Sequence, residues 1–89
     1  MLYARFMHPE YGRAHDREQA ATSGLVVGER YLVEDVEIGQ SYTGIKLNCF
    51  RKAFNSVLFE FEEEDCSPID IYTDPKYNPY IRRRGIKNE

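Results

Sequence analysis

Leu25-Val26-Val27-Gly28-Glu29-Arg30-Tyr31-Leu32-Val33, then Val36, Ile38-Gly39, Thr43, Ile45 and Leu47, and then Phe54-Asn55-Ser56-Val57-Leu58-Phe59-Glu60-Phe61 form the stretch that decides the fold class. Apolar and polar residues alternate along it, and turn residues return every eight to twelve positions or so, the spacing of short antiparallel strands. The expected fold is mainly β: a small five-stranded SH3-like barrel with one short N-terminal helix. An OB-like barrel is the alternative.

Within the stretch, Tyr31 and Val33 share one strand face, whereas Val36 and Ile38 have the opposite parity. A bulge near Glu34-Asp35 would return both pairs to the inside. Thr43, Ile45, Leu47 and Cys49 alternate inward, with Gly44 and Lys46 outward. Residues 48–53 read as a loop. Val57, Phe59 and Phe61 then read as an inward face opposed by Glu60 and Glu62. Upstream, Ala4-Arg5-Phe6-Met7 fits a first strand ended by Pro9. Residues 15–22 fit a short helix, with Asp16 as N-cap, Gln19 as capping-box partner, Ser23-Gly24 at the end, and Ala20 and Ala21 as docking residues. Downstream, Ile69 and Ile71 fit a last short strand, and Asp74-Pro75 and Asn78-Pro79 are turn signals. The domain is expected to span 1–81, followed by a basic tail, 82–89.

At 89 residues the chain is one small domain, with 42% apolar residues and seven tyrosines but no tryptophan. Net charge is −3, which argues against nucleic-acid binding, since phosphates need neutralising. The charge is uneven: residues 60–74 hold seven acidic and no basic groups, and residues 75–89 hold five basic and one acidic. Cys49 and Cys66 are the only cysteines and form no Cys-x-x-Cys pair. With no secretory pattern and no apolar run of spanning length, the expectation is two free thiols in a cytoplasmic protein, away from membranes.

The run Gly28-x-x-Tyr31-x-Val33-x-x-Val36-x-x-Gly39-x-x-x-Thr43-x-Ile45-x-Leu47, followed by Phe54-Asn55-Ser56-Val57-x-Phe59-Glu60, resembles small uncharacterised proteins of bacteriophages and prophages of Gram-positive bacteria. The resemblance covers about residues 25–61, with a weaker echo at His15-Asp16-Arg17-Glu18. It implies a phage or mobile-element origin, an SH3-like barrel and action in the host cytoplasm. It implies no activity.

No catalytic frame is visible, so no enzyme, metal or cofactor is expected. His8, His15, Cys49 and Cys66 lack the close pairs of a zinc site, and the acidic run lacks calcium-loop spacing. Arg13 and Arg17 beside a helix start would suit an anion, although Asp16 as a cap would fill that position. Asn55-Ser56 at a strand start fits a local side-chain-to-backbone bond or the polar edge of a pocket. Arg13, Arg17, Thr43, Asn55 and Ser56 are therefore the candidate ligand-binding residues. Ile69, Ile71, Tyr72, Tyr77 and Tyr80 are the candidate interface residues, in a host-protein contact or a homodimer. The leading functional reading is a non-enzymatic module that binds a host protein. The alternatives are a binder of a nucleotide signal in host defence and a nucleic-acid accessory protein using the basic tail.

Overall fold

The structure is a computed structural model that describes residues 1–39 and 41–78. The expected basic tail and Tyr80 lie outside the described residues. Six strands form one antiparallel sheet: β1 (Tyr3–Phe6), β2 (Arg30–Ile38), β3 (Thr43–Leu47), β4 (Phe54–Asn55), β5 (Phe59–Glu62) and β6 (Pro68–Ile69). Among the described residues one α-helix, α1 (Ala14–Thr22), follows β1. The strand order is β4-β3-β2-β1-β5-β6. Among the described residues β4 and β6 are not paired, so closure into a barrel is not found. No helix there is long and apolar enough to cross a membrane.

β2 holds the sheet together. Its first part pairs with β1, Tyr31 opposite Ala4, and its second part pairs with β3, Val36 opposite Ile45. The register shifts between Val33 and Asp35. Glu34 is the extra residue, where the parity change had placed a bulge. A bulge bends its strand and adds twist, which lets Tyr31 and Val33 on one side and Val36 on the other all pack on the core.

The core covers one sheet face. Phe6 lies opposite Phe59, Ala4 opposite Phe61, and Ile45 opposite Phe54. These residues are buried together with Leu2, Leu47, Leu58 and Ile71. Phe59 sits among Phe6, Phe54 and Phe61, at ring separations of 5.8, 6.2 and 6.3 Å. Such offset and edge contacts suit the ring quadrupoles.

The count of six strands, against the five expected, has a local cause. A 3-10 turn at Ser56–Leu58 separates β4 from β5. The Asn55 side chain accepts the Val57 backbone N–H at 3.2 Å and so starts that turn. Val57 is consequently exposed, and Leu58 takes the buried position. The inward reading of Val57 is thus corrected, while Phe59 and Phe61 do point inward. Cys49 is also corrected: it is exposed, in a turn with φ +73°. Cys66 is exposed at φ +71°, and both thiols are free.

Glu62 does share the outer face, yet it is buried. Arg5 grips it through two bonds of 3.0 and 2.9 Å, and Arg30 approaches at 3.4 Å. Arg30 in turn lies over the Tyr3 ring, 3.9 Å from its centroid. The bidentate Arg5 bond, first of all, holds the Glu62 carboxyl below its ordinary range, against the upward pull of burial. The helix ends as expected, at Ser23 with Gly24 at φ +85°, where a side chain would be strained. Its N-cap is Arg13 rather than Asp16. Only Asp16 and Ala20 are buried along it, while Ala21 is exposed.

Candidate functional site

Three segments converge at one end of the sheet: the start of α1, the tip of the β2–β3 hairpin, and the β4 to 3-10 junction. Between them lie two adjoining cavities. One, of about 270 Å³, is lined by Arg13, His15, Asp16, Ser41, Tyr42 and Asn55. The other, of about 380 Å³, is lined by Ile38, Gly39, Ser41, Tyr42, Thr43, Asn55, Ser56, Val57 and Tyr72. Ser41, Tyr42 and Asn55 belong to both, so the two form one cleft.

Asp16 is the anchor. Its side chain is 3% exposed. As the third residue of the helix it accepts the Arg13 backbone N–H at 2.9 Å, the reach-back bond of a capping box. The same oxygen accepts the Asn55 amide at 3.0 Å. His15 Nε2 lies 3.4 Å from the other oxygen. Burial pulls the Asp16 carboxyl up, but the Arg13 and Asn55 hydrogen bonds and the His15 and Arg13 charges outweigh it, and the net direction is down. The group is therefore a carboxylate at neutral pH. Asn55 joins helix to sheet, since one end of its amide holds Asp16 and the other holds Val57.

The rim carries two tyrosines and a valine. Tyr42, Val57 and Tyr72 are 47%, 41% and 41% exposed. Burial, then the Asp16 charge, pushes the Tyr42 phenol up, so it stays protonated and can donate. The Tyr72 hydroxyl bonds the buried Ser56 hydroxyl, which fixes that ring. Gly44 leaves room beneath Tyr42: a Cβ there would stand 3.3 Å from the tyrosine Cε1.

Of the residues named from the sequence, Arg13 and Asn55 share the smaller cavity, and Thr43, Asn55 and Ser56 share the larger. Arg17 joins neither; its guanidinium donates to the Gly12 carbonyl at 2.7 Å. Among the interface candidates, Tyr72 is on the cleft rim, Ile69 pairs with Phe61 at the sheet edge, and Tyr77 packs half-buried on the core. Ile71 is fully buried, so it is a core residue and offers no contact surface. Ser41, Tyr42, Val57 and Asp16 as a cleft wall were not singled out from the sequence. For Tyr42 a signal existed: Thr43, Ile45 and Leu47 point inward, which puts a tyrosine outward beside the hairpin turn.

The family described as Bacteriophage T4 protein Y07B matches residues 1–83. The chain belongs to that family. The match takes in every strand, the helix and the whole cleft. It agrees with the small phage protein expected from the resemblance over about residues 25–61, and it carries no information on Gram-positive hosts. No curated protein and no solved structure shows a significant match. The family match supports a small phage protein and names no activity.

Proposed function

We propose that this phage-family chain is a non-enzymatic interaction module that binds a host protein in the host cytoplasm. The observation that carries the reading is the Tyr42–Val57–Tyr72 rim around a polar floor of Thr43, Asn55 and Ser56. Tyrosine gives a large, stiff contact area with a hydrogen-bonding tip, and it is enriched where binding energy concentrates. The Tyr72–Ser56 bond holds one ring in place before binding, which lowers the entropy cost of association. The kinked β2, shared by both parts of the sheet, supports an SH3-like reading of the architecture.

A photo-crosslinking residue placed at position 42 tests this in host cells. We expect it to capture one host protein, with no capture from Glu18 on the exposed helix surface and loss of capture on Val57→Asp. Equal capture from both positions, or capture of a second copy of the chain alone, would overturn it.

A further inference from the structure

We infer that the smaller cavity receives a basic side chain, arginine or lysine, from the bound protein, with its charge set against Asp16. This inference rests on the cleft being a protein contact surface, and it adds the chemistry of what enters.

The geometry of the carboxylate points to it. An ionised carboxylate offers about four acceptor positions on two oxygens. One Asp16 oxygen is occupied by the Arg13 N–H and the Asn55 amide. The other has the His15 ring at 3.4 Å, an ion pair only when the imidazole is protonated. His15 is 74% exposed and can swing away. An acceptor thus remains on a deeply placed negative charge in the wall of a cavity large enough for one long side chain.

The rest of the cavity suits a cation. The Tyr42 ring stands at its edge, where a guanidinium can lie against the aromatic face. The Ser41 and Tyr42 hydroxyls have lone pairs for further N–H donors. Arg13 is the opposing charge, but it is exposed and therefore screened by water and salt. Asp16 is not, and an interaction at lower effective dielectric is the stronger one.

The test is an amide chemical-shift titration of the labelled protein with two probes, N-acetyl-arginine methylamide and N-acetyl-glutamate methylamide. The arginine probe should shift residues 13–16, 41–43 and 55 saturably, and the glutamate probe should not. His15→Lys places an ammonium on the chain beside Asp16 and should weaken the arginine probe at least about tenfold, or about 1.4 kcal/mol. That change is at an exposed position, so folding is preserved even if Asp16→Asn unfolds the chain. A glutamate response equal to the arginine response, or an arginine response unchanged by His15→Lys, would overturn the inference. A host protein captured at Tyr42 without arginine preference leaves the protein-binding reading standing and removes only this one. Arginine binding without any captured protein overturns both readings, since the cavity would then take a free cation and no partner's side chain.

Discussion

Replacing Phe59 and Val57 separately by alanine distinguishes a 3-10 turn at 56–58 from an uninterrupted strand. Phe59 is 5% exposed and lies within reach of three other phenylalanine rings. A buried aromatic side chain removes about 150–250 Å² from water, which is about 4–6 kcal/mol at about 25 cal/mol/Å². Alanine keeps a part of this, and measured losses for such truncations are about 3–5 kcal/mol. A domain of this size has about 4–13 kcal/mol of total stability at about 0.05–0.15 kcal/mol per residue. Phe59→Ala should therefore remove much of it. In urea, with a slope of about 1 kcal/mol/M, the midpoint should fall by about 3–5 M, or the chain should be unfolded without denaturant. Val57 is 41% exposed, so Val57→Ala should cost about 0.5 kcal/mol or less. A Val57→Ala loss well above about 0.5 kcal/mol would refute the turn and restore the alternating register through Val57. An unchanged Phe59→Ala midpoint would refute the core itself.

Asn55→Ala should cost about 1–3 kcal/mol, because it leaves the Val57 N–H and one Asp16 acceptor without their partner; thermal unfolding measures this. The Glu62 carboxyl is held below its ordinary value of 4.5, chiefly by Arg5. Its contribution is complete above about pH 4.5 and is lost as pH falls through the lower folded value. Glu62→Gln should be less stable than the native chain at pH 7, and the gap should narrow on acidification, as followed by melting temperature against pH. Cys49 adopts φ +73° without a Gly's freedom, so Cys49→Gly should be neutral or gain up to about 1 kcal/mol, whereas Cys49→Ala should gain nothing. Denaturant midpoints of the two variants decide.

Much of the sheet was legible because period-two alternation is a direct imprint of one buried face. The bulge at Glu34 was legible for the same reason: Val33 and Val36 cannot both be inside a regular strand. The 3-10 turn was not, because Val57, Phe59 and Phe61 keep perfect alternation while the backbone between Asn55 and Phe59 does not stay extended. One side-chain bond from Asn55 decides that, and no periodicity records it. The burial of Glu62 was hidden similarly, since its cover comes from Arg5 and Arg30 on two other strands. The cleft was only partly visible. Asn55 and Ser56 stood out as polar residues at a strand start, but their neighbours Asp16 and Tyr42 come from the helix and a distant hairpin. Only the three-dimensional approach of these segments makes them a site.

The central position of β1 has a consequence for how the chain reaches its fold. β1 is first in sequence but lies between β2 and β5, and Tyr3 meets Leu32 on one side and Glu62 on the other. The β2–β3 hairpin is local and can form early. The seam with β5 must wait until the chain has closed a loop from Phe6 to Phe59, and such long-range contacts slow the folding transition. During synthesis β1 leaves the ribosome well before its second partner exists. One edge of it therefore stays unpaired for that interval, an exposed template for other strands. Kinetic vulnerability is concentrated at Tyr3–Phe6, a segment that in the finished sheet is paired on both sides.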